Sequence, residues 1–128
     1  MKKTKSFEEL IVWQKAHQLT LDVYKLTQSF PKEEIYGITS QIRRASVSIA
    51  ANIAEGYKRR TPKDKARFLN FSEGSLEEVK YYLILAKDLS FITENSNALS
   101  KANEVAKLLF SYKKGILNTD FYQLNPKK

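Results

Sequence analysis

Apolar residues recur with a helical period in four long stretches of this 128-residue chain, and only a few residues separate each stretch from the next. Within residues 7–28, 33–57, 62–89 and 94–114, apolar side chains follow one another at spacings of three and four, which places them on one face of a helix. No stretch shows the sustained alternation that is typical of a β-strand. Short connections force consecutive helices to pack antiparallel. The sequence therefore predicts an all-α protein, an antiparallel up-down-up-down four-helix bundle.

The length of the chain supports one domain. We expect residues 1–6 to form a basic N-terminal arm and residues 7–115 to form the bundle. Residues 116–128 are expected to form a tail that is only partly ordered, because no apolar period continues into it. Gly115 follows two lysines, an order that is typical of the end of a helix, and it is expected to end the fourth helix.

Several residues match the starts of the predicted helices. Ser6 and Glu9 match the capping box of the first helix, in which each side chain bonds to the other residue's backbone amide. Thr61 is expected to cap the third helix and Thr93 the fourth. Gly74 lies in the middle of the third helix, where glycine costs about 1 kcal/mol relative to alanine. We therefore expect a neighbouring helix to approach the chain closely at Gly74.

The side chains that most catalytic and metal sites require are scarce. The chain has no cysteine and one histidine, which excludes disulfides, thiolate chemistry, Cys-based zinc sites and the paired Glu-x-x-His motifs of di-iron bundles. His17 shares a stripe of the first helix with Trp13 and is expected to pack there or in an interface. No nucleotide-binding glycine loop and no nucleophile paired with a base is found. We expect a protein that is not an enzyme and that holds no cofactor or metal.

Positive charge concentrates at the turn between the second and third helices. The chain carries 22 Lys and Arg against 14 Asp and Glu, a formal net charge of +8. Residues 58–67 contain one acid, Asp64, and six cations: Lys58, Arg59, Arg60, Lys63, Lys65 and Arg67. Because a polyanion gains free energy by releasing counterions at such a cluster, the sequence predicts a nucleic-acid-binding site there, with Tyr57 available to stack on an unpaired base. A solvated turn that serves only solubility is the alternative.

Two adjacent arginines, Arg43 and Arg44, form a second candidate site in the second helix. An antiparallel hairpin centred on residues 59–60 would place them beside acids of the third helix. These acids are Glu73, Glu77 and Glu78. We expect either ion pairs, made with these acids or across a subunit interface, or direct contact of the arginines with phosphate.

The second helix carries small residues on nearly every face between residues 45 and 51, a composition that allows close approach from more than one side. Aromatic residues such as Phe68 and Tyr81 exceed what one bundle seam can bury. Both features predict an oligomer. Asn52 falls on the seam of the second helix, where a buried amide is expected to fix the register of the packed helices.

No run of about 18 apolar residues is present, and no apolar stretch follows the basic start of the chain. We therefore expect neither a membrane span nor a signal peptide. The expected location is the cytoplasm.

Several short motifs occur in order along residues 7–90. They are Phe7-Glu8-Glu9-Leu10, Val12-Trp13-Gln14-Lys15-Ala16, Phe30-Pro31-Lys32-Glu33-Glu34, Tyr36-Gly37, Gln41-Ile42-Arg43-Arg44-Ala45, Ser48, Asn52-Ile53-Ala54-Glu55-Gly56, and Gly74-Ser75-Leu76 followed by Glu78. With these motifs the chain resembles the four-helix-bundle proteins encoded within intervening sequences of bacterial 23S ribosomal RNA genes, also called the S23 ribosomal protein family. The fourth helix matches that family in pattern only.

The resemblance implies a small four-helix bundle that assembles into a homopentamer. It also implies similarity to the accessory protein of diversity-generating retroelements, a basic pentamer that binds nucleic acid and a reverse transcriptase. It implies no established biochemical activity, and the family name reflects gene location rather than association with the ribosome. The motif residues carried over, in structural, interface or functional roles, are Arg43, Arg44, Asn52, Glu55, Gly56 and Gly74.

These features favour a non-enzymatic basic oligomer that binds the phosphate backbone of RNA or DNA, with low sequence specificity, through the turn at residues 58–67. The alternative is a protein-interaction scaffold that makes no direct contact with nucleic acid and serves a partner such as a reverse transcriptase. An enzyme such as a ribonuclease is a third reading, for which the residues offer no evident mechanism.

Overall fold

Four helices account for most of the residues that the computed structural model describes, which are 4–93 and 96–124, with residues 119–124 described as backbone. The helices are α1 (Ile11–Thr27), α2 (Ile38–Lys58), α3 (Pro62–Asp88) and α4 (Ala98–Leu124). Short 3-10 turns precede α1 at Phe7–Glu9 and α2 at Lys32–Glu34. No strand occurs in the described residues. The predicted all-α four-helix fold is confirmed.

Bonds between neighbouring helices show that the helices alternate in direction. In each packed pair, residues later in one helix meet residues earlier in the other. The bonded pairs are Ile49–Ser72 and Ser48–Ser75 between α2 and α3, Lys15–Glu104 and Asp22–Lys101 between α1 and α4, and Lys113 with Asn70 and Glu73 between α4 and α3. This alternation brings the end of α2, the start of α3 and the later part of α4 to one end of the bundle.

The first helix begins later than the sequence indicates. α1 starts at Ile11 rather than at residue 7, because Leu10 has an extended backbone (ψ 126°) that separates the helix from the preceding 3-10 turn. The Ser6 side chain makes no capping hydrogen bond. The Glu9 carboxylate accepts a hydrogen bond from the backbone N–H of Lys5 instead, over 3.3 Å. The predicted capping box is therefore not formed.

The starts of α2 and α3 differ in how well they match the prediction. α2 begins at Ile38 rather than at residue 33, because Gly37 (φ −108°, ψ −120°) lies outside the helical region. α3 begins as predicted. The Thr61 hydroxyl accepts a hydrogen bond from the backbone N–H of Asp64 over 3.1 Å, and Pro62 is the first helical residue, where a missing N–H costs nothing.

The predicted bounds of the fourth helix, 94–114, are wrong at both ends. The helix begins at Ala98, whose N–H bonds to the Ser96 hydroxyl over 3.3 Å, so Thr93 does not cap it. It continues through Gly115 as far as residue 124. Gly115 therefore does not end the helix, because Ile116 extends the buried seam of α4 and packs against the core, which offsets the cost of a glycine. Within the predicted arm and tail, residues 1–3 and 125–128 lie outside the described residues.

Most of the core consists of apolar residues spaced three and four apart along each helix. The fully buried large side chains are Leu19 and Val23 of α1, Ile42, Ile49 and Ile53 of α2, Leu69, Val79 and Leu83 of α3, and Val105 and Leu109 of α4. Two buried hydroxyls bond to backbone carbonyls of neighbouring helices. The Thr20 hydroxyl donates to Ser46 O over 3.0 Å, and the Ser72 hydroxyl donates to Ile49 O over 2.9 Å. These bonds require α2 to lie close to both α1 and α3.

Two glycines occupy opposite environments. A Cβ atom added at Gly56 would lie 3.2 Å from both the Lys65 carbonyl oxygen and the Phe68 Cβ, so α2 and α3 approach closely at this residue. A Cβ atom at Gly74 would meet nothing within 4 Å. The expectation that a neighbouring helix of the chain approaches Gly74 is therefore wrong. Gly74 faces away from the bundle, whereas the close approach takes place at Gly56.

Candidate nucleic-acid interface

The turn between α2 and α3 gathers the predicted cations at one end of the bundle. Lys58, Arg59 and Arg60 end α2 and begin the turn, and Lys63, Lys65 and Arg67 lie in the first turns of α3. The N-terminal arm joins them, because Thr4 bonds to the Tyr57 side chain and Lys5 follows Thr4. We call these six cations together with Lys5 the basic end. Its members divide into two groups by what their side chains contact.

Lys65 is held by the backbone of α2. Its ammonium donates to the carbonyl oxygens of Tyr57 over 2.7 Å and Gly56 over 3.4 Å, and it lies 5.4 Å from the centre of the Tyr57 ring. These carbonyls belong to the last turn of α2, where the Gly56 oxygen also accepts from the backbone N–H of Arg59 over 3.1 Å. Burial lowers the pKa of Lys65 below its usual value of 10.5. Lys65 therefore acts as a C-terminal cap of α2 and is not a free cation.

Arg59 and Arg67 pack against one aromatic ring. Their guanidinium carbons lie 4.7 Å and 4.6 Å from the centre of the Phe68 ring. Each also forms a local ion pair, Arg59 with Glu55 and Arg67 with Asp64 at 3.0 Å. Their cationic groups are therefore partly neutralised, and the ring holds both in place.

The remaining cations of the basic end are free. Lys5, Lys58, Arg60 and Lys63 are exposed. No carboxylate within the described residues lies within 4.0 Å of their charged groups. We call these four residues the free cations. A polyanion that approaches this surface would find unpaired donors and would not have to displace an acidic side chain.

Tyr57 connects the N-terminal arm to the bundle. Its hydroxyl lies 2.7 Å from the Thr4 hydroxyl and 3.1 Å from the Thr4 carbonyl oxygen, while Lys65 packs against its ring. Burial raises the pKa of Tyr112 in α4, and the electrostatic effect of nearby Tyr57 raises it further. The ring that was expected to stack on a base is therefore half-buried and engaged within the chain.

Arg43 contacts α1 rather than the acids of α3. Its Nε donates to the Thr27 hydroxyl over 2.7 Å, its Nη2 donates to the Tyr24 carbonyl oxygen over 3.4 Å, and its guanidinium lies 4.8 Å from the centre of the Tyr24 ring. Arg44 is exposed and pairs with no acid of the described chain. The predicted ion pairs with α3 are therefore not formed within the chain.

The acids expected to pair with the two arginines have other partners or none. Glu73 binds Lys113 of α4 at 2.7 Å, and Glu77 lies 3.6 Å from Lys80. Register does not account for this. The bonded pairs Ile49–Ser72 and Ser48–Ser75 centre the hairpin about one to two residues beyond 59–60, which places residues 77–80 level with the arginines. The Arg43 side chain turns toward α1 instead.

The motif residues at the end of α2 support the contact with α3. The Asn52 amide is half-buried and donates to the carbonyl oxygen and the hydroxyl of Ser48, over 2.9 Å and 3.0 Å. The Ser48 hydroxyl lies 2.9 Å from that of Ser75 in α3. The Asn52 amide, which was expected to be buried on the seam, is thus linked to α3 through the hydroxyl of Ser48. Glu55 orients Arg59, and Gly56 admits the backbone of α3.

Two residues that contribute to this end of the bundle, Phe68 and Thr4, were not predicted from the sequence to do so. Phe68 was singled out only as an aromatic that one seam could not bury, yet it holds two arginines. Its position among cations in sequence is a signal that could have suggested this role. Thr4 carried no signal, because nothing in the arm indicates that it meets Tyr57, 53 residues away.

Three other observations on the described residues concern metal binding, the single histidine and membrane spans. Among the side chains of residues 4–93 and 96–118, no group of three or more His, Cys, Asp or Glu could hold a metal ion. His17 stacks on Trp13, with ring centres 5.0 Å apart. None of the helices in the described part of the chain is sufficiently long and apolar to cross a membrane.

Comparison with known proteins points to one family. A family model described as 23S rRNA-intervening sequence protein matches residues 8–111. The fold is similar to the crystal structure of a protein of unknown function from the S23 ribosomal protein family of Bacteroides thetaiotaomicron. The two chains share 26% identity with a TM-score of 0.73, over 81% of this chain and 99% of the other. No curated protein matches the chain.

Proposed function

The chain belongs to the 23S rRNA-intervening sequence protein family, and from that premise we propose that it is a non-enzymatic protein that binds the phosphate backbone of RNA or DNA through its basic end. Binding of this kind depends on charge and contact with phosphates, and it reads little sequence. A cytoplasmic location forms part of the proposal.

One observation carries this proposal: some cations of the basic end make contacts within the fold, whereas others make no ion pair with the described residues. Lys65, Arg59 and Arg67 cap a helix or pack on Phe68. The four free cations have no such contacts, and exposed like charges that lie close together repel one another. Their repulsion is relieved when a polyanion binds and releases its condensed counterions.

We further propose that the chain assembles into a homo-oligomer, specifically a homopentamer. Large aromatic side chains remain exposed on α3 and α4, with exposed fractions of 49% for Phe71, 57% for Tyr81 and 59% for Phe110. An apolar groove of about 350 Å³ between α1 and α2 is lined in part by Trp13 and Ala51. Five copies that each carry the turn's six cations and one acid would bring about +25 to one assembly, a strong field for RNA or DNA.

The decisive experiment compares two triple variants with equal loss of charge. The first changes three free cations, Lys58, Arg60 and Lys63, to Gln. The control changes three exposed lysines that lie away from the basic end and have no ion pair within the described chain, Lys25, Lys87 and Lys107, to Gln. Affinities for a structured RNA, a single strand and a duplex DNA are measured by fluorescence anisotropy across a series of salt concentrations. Circular dichroism checks that both variants remain folded.

The slope of log K against log salt reports the number of phosphate contacts. It is about −0.9 per contact for duplex DNA and about −0.7 for single strands. The free-cation variant is expected to flatten the duplex slope by roughly three contacts' worth, about 2.7 per protomer bound, and to weaken binding at low salt. The control variant is expected to keep the slope. Equal effects of the two variants would show that net charge alone matters and would reject the basic end as the interface.

A protein-interaction scaffold is the second candidate, and the exposed aromatic side chains of α3 and α4 favour it. In that function the basic end would dock an acidic partner, such as a nucleic-acid-processing protein of the reverse transcriptase type. Absence of binding to all three nucleic acids at low salt, with the oligomer intact by light scattering, would favour the scaffold over the nucleic-acid binder.

A further inference from the structure

A cleft of about 310 Å³ lies between the last turns of α1 and the first turns of α2. It is separated from the basic end by about 20 Å along α2, as the rise of 1.5 Å per residue between Arg44 and Lys58 requires. Its lining residues are Tyr24, Ile35, Thr39, Ser40, Arg43 and Arg44. None of these six is acidic, and two of them carry guanidinium groups. The cleft is therefore a second cationic site, distinct from the basic end.

The spacing of the polar residues pairs hydroxyls with guanidinium groups. Thr39 precedes Arg43 by four residues, and Ser40 precedes Arg44 by four residues. Residues four apart lie on the same face of a helix, one turn from each other. Two hydroxyls and two guanidinium groups thus project from adjoining faces of one helix, toward a cleft that the end of α1 closes on the other side.

Arg43 is oriented before any ligand arrives. Its Nε and Nη2 donate to the Thr27 hydroxyl and the Tyr24 carbonyl oxygen, over 2.7 Å and 3.4 Å. A guanidinium has five N–H donors, and these bonds use two of them. Three donors remain, held in a fixed plane by the packing against the Tyr24 ring at 4.8 Å. A site whose donor group is already fixed loses less conformational entropy when a ligand binds.

Two lining groups lack partners within the described chain. Arg44 is exposed and has no ion pair. The Thr39 hydroxyl is buried, since the residue is only 3% exposed, and it makes no hydrogen bond. A buried hydroxyl without a partner loses its hydration without compensation, so such groups are rare in folded proteins. Other buried hydroxyls of this bundle, such as that of Ser72, all have carbonyl partners where their bonds are described.

We propose that this cleft binds a phosphoryl group. The two arginines supply charged donors in forked geometry, and the two hydroxyls supply further donors to the remaining oxygens. A phosphate monoester presents three free oxygens to these donors, one more than a planar carboxylate. Ile35 and Tyr24 form an apolar surface beside the donors, against which the organic group that carries the phosphate can pack. The proposal does not rest on binding at the basic end.

The test is a titration of the isotopically labelled protein with inorganic phosphate and pyrophosphate, followed by the amide resonances in two-dimensional NMR. Acetate at matched ionic strength controls for general anion effects. Shifts are expected to centre on residues 39–44, and Arg44→Gln is expected to weaken pyrophosphate binding at least tenfold. Lys25→Gln, which removes an exposed cation outside the cleft, is the matched control and is expected to leave the affinity unchanged.

Thr39→Val separates ligand binding from a structural role. If the hydroxyl serves the ligand, its removal lowers the affinity for pyrophosphate and raises the thermal midpoint of the free protein, because a buried unpaired group is lost. A fall in both quantities would indicate a structural hydroxyl and would overturn its role in the site. Any of three results would overturn the proposal. They are equal resonance shifts with acetate, resonance shifts confined to residues 58–67, and an unchanged affinity of Arg44→Gln for pyrophosphate.

A second arm of the experiment distinguishes the sources of the phosphoryl group. A short oligonucleotide is titrated in the same way into the wild-type protein and the free-cation variant. Displacement of pyrophosphate from residues 39–44 by the oligonucleotide supports the proposal with the nucleic-acid backbone as the source. Retention of pyrophosphate in its presence supports the proposal with a free phosphorylated ligand as the source. Pyrophosphate that still occupies the cleft of the free-cation variant after oligonucleotide binding is lost would support the proposal and would show that the cleft binds independently of the basic end.

Discussion

Gly56 sets how closely α2 and α3 approach beside the basic end, and we expect Gly56→Ala to destabilise the protein. An added Cβ would lie 3.2 Å from the Lys65 carbonyl oxygen and from the Phe68 Cβ. One of these atoms is backbone, and the other is fixed directly to it. Neither can move away by rotation of a flexible side chain. The helices must therefore separate by a few tenths of an ångström for the methyl group to fit.

The magnitude follows from two opposing effects. Replacing glycine by alanine inside a helix gains about 1 kcal/mol from the lower conformational freedom of the unfolded chain. Overpacking a tight contact costs about 1–3 kcal/mol. Taking about 2 kcal/mol for a clash with backbone gives a net loss of about 1 kcal/mol. For a chain of this size such a loss corresponds to roughly 3–6 °C in the thermal midpoint.

Gly74→Ala is the matched control, because the same methyl group meets nothing within 4 Å there. The helix-propensity gain then acts alone, and we expect a rise of about 1 kcal/mol. The two variants should differ by about 2 kcal/mol in urea unfolding followed by circular dichroism, at equal protein concentration. Equal effects of the two substitutions would refute the argument from the α2–α3 approach. A loss at Gly74 that disappears on dilution would instead place Gly74 in a contact between copies.

Two further substitutions test the packing of the basic end. Phe68→Ala removes the ring that holds Arg59 and Arg67. Because Phe68 is only half-buried, we expect the free energy of unfolding to fall by about 2 kcal/mol, less than the 3–5 kcal/mol typical of a fully buried phenylalanine. An unchanged urea midpoint would show that the two arginines do not depend on the ring. Tyr112 has a raised pKa because it is buried and lies near Tyr57, so the folded protein keeps the phenol proton at a pH where the unfolded chain has lost it. Stability should therefore fall as the pH rises above about 10, and this fall should be smaller in Tyr112→Phe when urea midpoints are compared between about pH 9 and pH 11.

The helical period predicted the fold well because it reports burial directly. Val12, Ala16, Leu19 and Val23 follow one another at the helical spacings of four, three and four, and all four are buried in the core. Thr61 was identified as a cap because its capping bond depends only on residues within the next turn. A capping residue and the amide it bonds to lie within one helical turn, so the local sequence is enough to predict their contact. Fold and topology therefore needed nothing beyond the sequence.

Helix ends and side-chain partners were harder to predict, because they depend on tertiary contacts. Gly115 has the local pattern of a helix end, yet Ile116 packs on the core and the helix continues. Arg43 was placed beside acids of α3 by a register estimate, and register does not show toward which neighbouring helix a side chain turns. Arg43 bonds to α1, and these bonds could not be read from α2 and α3 alone.

The motif Asn52-Ile53-Ala54-Glu55-Gly56 and the basic end form one structural unit. Asn52 fixes Ser48 against Ser75, Gly56 admits the start of α3, and Glu55 holds Arg59 against Phe68. Each contact sets the position of α3 relative to the end of α2. Lys58 is the last residue of α2, and Lys63 is the second residue of α3. The separation between the free cations is therefore a consequence of motif residues that carry no positive charge. A motif that fixes this separation would suit a ligand with regularly spaced charges, as the phosphates of a nucleic-acid strand are, better than a diffuse cloud of counterions.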